Sequence, residues 1–256
     1  MSVKSGILAG IVTISLMGVG VSSTSATEMT DALQVSDQLF EQREITGNLA
    51  ASIAGLSPLL EVENISTAET YAVLWRLSQR YSAVNRYTDW DKQKRLAAFK
   101  KGIEYGQKAQ ELKPNGVEGI YWMAINLGRE AELKGILKSL SSVKPIRRNM
   151  EKIISIDPNF HRAYFVLARL YRKAPKVISI GDMNKAELFI REALSRDGQD
   201  TYYLVELAKI KQKRGDISTA IKTLEEVIQL MPRQNDHTPT VKHNQKEAQT
   251  LLNQYR

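Results

Sequence analysis

Pro114, Pro158, Gly198 and Pro232 interrupt the chain at intervals of 44, 40 and 34 residues. Proline cannot continue a helix and glycine readily ends one, so breakers at near-regular spacing cut a chain into helical units of similar size. Ala186 and Ala220, also 34 apart, hold the same small-residue place in successive units. That regularity constrains the fold more than any other feature. It requires a stack of helix–turn–helix units, each burying its apolar face against the next, and such a stack works by holding something along its surface.

The tetratricopeptide (TPR) pattern W-x2-L-G-x2-Y…A-x3-F…P, with its period of 34, serves as the ruler. Leu74, Leu77, Ser78 and Tyr81 fit a first helix, with Gly102, Gly106, Ala109 and Pro114 in its partner. Ile120, Met123, Ala124 and Leu127 pair with Ile146, Met150, Ile153 and Pro158. Tyr164, Leu167, Ala168 and Tyr171 pair with Ala186, Ile190, Ala193 and Gly198. Leu204, Leu207, Ala208 and Lys211 pair with Ala220, Leu224, Val227 and Pro232. The predicted fold is all-α, a curved solenoid with four TPR-like repeats over residues 67–233. A degenerate pair precedes them over 27–66, with helices expected at Asp31–Arg43 and Asn48–Leu60. Residues 234–256 read as a polar linker and a capping helix from Lys242 to Tyr255, since a terminal repeat needs a polar outer face.

The step from first to second helix takes 9 residues in the last repeat (Lys211 to Ala220) but 21, 19 and 15 in the three before it. The extra residues fall at one corner of each repeat, hence along one edge. Trp90, Leu137, Leu140, Val177 and Ile178 are expected to pack together there. Such insertions either mark a binding face or only lengthen helices and loops.

Apolar residues make up 43% of the chain and charged residues 25%, as in ordinary folded proteins. The absence of cysteine excludes disulfides, a nucleophilic thiol, cysteine zinc sites and a lipoprotein acylation site. Lys4, an apolar run from Ile7 to Val21 and the small residues through Ala26 form the three parts of a secretory signal peptide, so residues 1–26 are expected to be removed on export. An uncleaved anchor is the alternative, although the run is short for a spanning helix. The net charge is +8, and +7 without that segment. Nine Lys or Arg against two acids between Lys144 and Lys176 carry the same excess, which suits either an anionic partner or a solvated face.

Catalysis is not expected. The three histidines are dispersed, and HExxH, GxSxG, Walker and dinucleotide-binding patterns are missing. No cofactor or metal site is expected, and no nucleic-acid motif is present. Binding through the concave groove is the better reading. Its first-helix positions read Trp75, Tyr121 and Phe165, with Tyr202 a turn before the fourth such position, then Arg169 and Lys209, joined by Arg162, Arg172 and Lys173. Aromatic rings supply rigid apolar area and arginine grips carboxylates, so an acidic peptide or an anionic amphiphile would fit. The alternative is that the rings are inter-repeat core and the charges are solvated.

Gly119-Ile-Tyr-Trp-Met-Ala, Leu137-Lys-Ser-Leu, Val143-Lys-Pro-Ile, Met150-Glu, Ile156-Asp-Pro-Asn, Ala174-Pro and Gly181-Asp-x-x-Lys-Ala186 resemble the TatT family, from about Thr30 to Pro232. TatT proteins are TPR accessory components of tripartite ATP-independent periplasmic (TRAP) transporters. The resemblance implies a periplasmic adaptor that binds the transporter's substrate-binding protein, with an apolar ligand cavity and a small homo-oligomer. The competing readings are a general envelope scaffold for protein interactions and a carrier of small hydrophobic anions.

Overall fold

The computed structural model describes residues 26–256, with the backbone alone at 26 and 136–139. The described residues form eleven α-helices and no strand. Helices α1 (Ala26–Glu41) and α2 (Asn48–Leu56) make the N-terminal pair. Four further pairs follow: α3 (Thr67–Tyr87) with α4 (Lys92–Leu112), α5 (Val117–Lys134) with α6 (Ile136–Ile156), α7 (His161–Lys173) with α8 (Met183–Arg196), and α9 (Thr201–Lys213) with α10 (Ile217–Gln229). Helix α11 (Thr238–Tyr255) closes the stack. Apart from its last residue, the expected signal segment lies outside the described residues.

Each boundary has a local cause. Ser66 and Glu69 form a reciprocal capping box at the start of α3. Asp91, Asp182, Asp200 and Asp216 accept from the free backbone N–H groups that open α4, α8, α9 and α10. The four periodic breakers lie in the turns after α4, α6, α8 and α10. Three helices differ from the reading of the sequence. Helix α1 runs Ala26–Glu41 rather than Asp31–Arg43. Helix α2 ends at Leu56, and Pro58 sits in a 3-10 turn over Ser57–Glu61. Helix α11 starts at Thr238 rather than Lys242, because Pro239 occupies its first turn, where a missing N–H costs nothing.

Small residues let the helices approach closely. A Cβ on Gly106 of α4 would lie 2.6 Å from the Met123 Cβ of α5, and one on Gly119 would lie 3.0 Å from the Ala109 Cβ. Beside them Ser78 Oγ donates to Gly102 O (2.7 Å), and Asn126 Nδ2 donates to Ser78 O (2.9 Å). This buried polar link ties α3, α4 and α5 together. The apolar core is continuous in kind but built in sections: one through α1–α4, a central one through α5–α9, and one through α9–α11.

The extra residues mostly lengthen helices. Helices α3, α4 and α6 have 21 residues each, against 13 in α9 and α10. The expected corner cluster is not formed. Trp90 packs on the N-terminal core, Leu140 faces the concave side, and Val177 and Ile178 project into solvent. The side chain of Leu137 lies outside the description.

Candidate interaction groove

The stack bends until its two ends meet. His237, just before α11, places Nε2 3.1 Å from Glu41 O and 3.1 Å from Glu44 Oε2, beside the turn after α1. Its ring meets Tyr87 edge-on at 6.4 Å, and Tyr87 Oη lies 3.5 Å from Thr240 Oγ1. Since both neighbours of Nε2 are acceptors, that nitrogen carries the proton. The helices enclose a groove of about 1760 Å³. Its wall is drawn mainly from α3, α5, α7, α9 and α11, with the start of α6, the end of α1 and the segment that leads into α11.

Eight of the nine residues singled out in the sequence line this groove; Trp75 does not. Because α3 is long, its last turns, with Gln79, Ala83, Arg86 and Tyr87, face inward instead. Trp75 packs beside Tyr71 and Leu74 and stacks on Arg76, 4.3 Å from ring centre to guanidinium. Tyr121 is buried, edge-on to Trp122 (4.9 Å) and Phe160 (5.2 Å), and burial raises its phenol pKa. Phe165 and Tyr202 are half-buried, with centroids 6.1 Å apart, and Arg86 donates to the Tyr202 hydroxyl. Tyr203 lies below them, its hydroxyl 2.7 Å from His161 Nδ1.

The predicted cations are largely paired with acids that the sequence reading passed over. Arg172 grips Glu206 with its fork, Nη2 to Oε2 being 3.0 Å; Glu206 is buried and Arg172 mostly so. Lys209 meets Glu247 at 2.5 Å. Glu132 is shared by Lys173 (2.6 Å), Arg169 (3.2 Å) and Arg129 (3.7 Å). Arg162 is exposed and meets no carboxylate among the described residues. These partners had a signal: Glu206 stands 34 positions after Arg172, and Glu132 stands 37 before Arg169, about one repeat away in each case. Arg86 and Arg129 also line the wall and were missed.

The groove is cationic by a modest margin, with ten Lys or Arg against seven Asp or Glu in its wall. The excess gathers around Glu132. Burial opposes ionisation of Glu132, yet its cations hold the carboxyl below the usual range. Burial and the nearby Arg169 pull the Lys173 ammonium down as well, and burial with Arg169 and Arg86 does the same to Arg129. Three cations on one carboxylate leave more positive charge than Glu132 balances. Among the described residues no three His, Cys, Asp or Glu side chains are grouped to hold a metal ion.

A family model described as regulator of microtubule dynamics protein 1-3 matches residues 32–177, more than half of the chain. The chain belongs to this family. Regulator of microtubule dynamics protein 3 of Xenopus laevis is 28% identical over 142 residues, covering 56% of this chain and 29% of that protein. The Rattus norvegicus protein of the same name is 29% identical over 96 residues, covering 38% of this chain and 20% of its own length. The matched stretch thus spans less than a third of these relatives. Among solved structures, TTC0263, a TPR protein of Thermus thermophilus, aligns with a TM-score of 0.64 at 12% identity, covering 87% of this chain and 99% of that one. PilF of Pseudomonas aeruginosa aligns at 0.51 and 13% identity, covering 89% and 88%. These likenesses establish the TPR-like solenoid, an architecture suited to protein–protein interaction.

The family match overturns the resemblance to TatT, and with it the transporter function and the substrate-binding-protein partner. The periplasmic location falls too, since the matched relatives are animal proteins and animal cells have no periplasm. Two of the glycines that carried the resemblance are packing positions. Gly119 lies against Ala109, and Gly181 sits under the Ala174 carbonyl with no room for a Cβ. Close helix packing demands such residues in any TPR-like stack, so they do not separate one family from another.

Proposed function

We propose that this chain is a protein-interaction module without chemistry of its own, and that its groove takes an extended acidic segment of a partner. The observation that carries the reading is the surplus of positive charge around Glu132, with Arg162 unpaired at the groove wall. A carboxylate-bearing segment would relieve that surplus, and charge-assisted bonds to arginine are the strong ones. Phe165 and Tyr202 beside it offer rigid contact area. Lys209 and Arg172 are tied to Glu247 and Glu206, so their role is to hold the wall in shape. The relatives are named as regulators of microtubule dynamics; we extend this to a partner on or around the microtubule.

The test is fluorescence anisotropy with a labelled glutamate-rich peptide, followed by co-sedimentation with microtubules. Binding should weaken with salt, and Arg162→Glu should cost about tenfold or more in Kd, the scale of a lost hydrogen bond to a charged group. Arg162 is exposed, so its reversal should leave folding intact. Wild-type protein that fails to bind, or a variant that binds equally well, removes the groove reading. Peptide binding without co-sedimentation removes only the microtubule extension.

A further inference from the structure

The connection between α7 and α8 carries the most exposed apolar side chains of its edge, and the fold holds them there. Val177 is 95% exposed and Ile178 is 58% exposed. The segment is braced at both ends: Ala174 N donates to Leu170 O (2.9 Å) and Asp182 N to Tyr171 O (3.0 Å). Gly181 presses on the Ala174 carbonyl too closely for any side chain, and Ile180 packs inward on the central core. One apolar residue therefore anchors the turn while two are presented to solvent.

The surroundings of this tip are basic. Lys176 precedes Val177 and is exposed. Lys213 is brought by the repeat geometry to the base of the loop, its Nζ donating to Arg172 O at 3.3 Å. Lys185 lies over the Tyr171 ring at 5.4 Å. None of these three meets a carboxylate among the described residues. An apolar tip with one lysine beside it and two more at the base of its loop matches an interfacial membrane surface, where apolar groups enter the acyl boundary and ammonium groups meet anionic headgroups.

We propose that this edge docks peripherally on an anionic lipid surface, with Val177 and Ile178 inserted and Lys176, Lys185 and Lys213 on the headgroups. No described helix is long and apolar enough to cross a membrane, and the contact proposed is made by a loop. Val177, Ile178 and the three lysines are not part of the groove wall, and this inference does not depend on the function proposed above.

The experiment is flotation of the full chain with phosphatidylcholine vesicles, with and without about one-third phosphatidylserine, a composition that supplies the surface charge the lysines require. Val177→Asp/Ile178→Asp is compared with Lys176→Glu, and circular dichroism checks that both remain folded. Binding to the anionic vesicles should be salt-sensitive and should fall by about tenfold or more in the double variant, as expected when two apolar groups become charged. Lack of preference for the anionic vesicles overturns the proposal, as does equal binding by the double variant. Concentration-dependent self-association by ultracentrifugation, abolished by the double variant and without vesicle binding, also overturns it and assigns the tip to a contact between copies.

Discussion

Arg80 shows how much of this fold rests on single side chains. It is 1% exposed, on α3, and its guanidinium reaches Asp37 of α1 while Nε lies 3.2 Å from Ser52 Oγ of α2. Burial pulls its pKa down to about 10, against the opposing charge and hydrogen bond of Asp37. Burial alone would raise the Asp37 carboxyl; Arg76 and Arg80 outweigh it and hold the carboxyl low. Asp37→Asn should therefore destabilise the protein by about 2 kcal/mol at neutral pH in urea unfolding, less than for a fully buried pair because Asp37 is partly exposed. A carboxyl whose folded pKa lies below its unfolded value of about 4 stabilises above that pH and ceases to do so as pH falls through the folded value. The gap between wild type and Asp37→Asn should thus narrow below about pH 4; a gap that stays constant there would contradict the pairing. None of this was legible in the sequence, where Asp37, Ser52 and Arg80 are separated and carry no repeat spacing. The Glu206 partner of Arg172 was legible in principle, since its offset is the repeat itself.

At the scale of elements, the sequence was most informative where packing is tight. Gly102, Gly106 and Ala109 mark the face of α4 that meets α5, and their spacing was readable because a close approach admits only small side chains. Gly106→Ala should force the two helices apart, since its Cβ would also lie 2.9 Å from the Met123 Cα, a backbone atom that cannot turn aside. We expect a loss of about 1–3 kcal/mol in thermal or urea unfolding, the usual cost of overpacking a filled core; an unchanged stability would mean that α4 and α5 are further apart than described. What the sequence obscured at this scale is helix length. The additional turns of α3 move Trp75 off the concave face and bring Arg86 and Tyr87 onto it, and a fixed 34-residue ruler cannot register that shift. The same limitation produced the expected apolar corner, in place of which Val177 and Ile178 stand alone on a braced turn.

For the whole molecule, curvature decides function, and curvature is not written in any single repeat. It emerges when small rotations accumulate until His237 meets Glu41 and Glu44, residues 196 and 193 positions away. The contact encloses the groove and sets the surplus charge around Glu132 inside it. The solenoid itself was readable from four phased breakers, but the family was not, because its packing residues are those of TPR-like stacks in general. The most direct measurement of the central claim is hydrogen–deuterium exchange of the chain with and without a saturating glutamate-rich peptide. Added protection should concentrate on α5, α7 and the first turns of α9, the helices that carry Arg129, Glu132, Arg162, Arg169 and Tyr202. Protection confined to α4, α8 and α10, which contribute no residue to the groove wall, would contradict it.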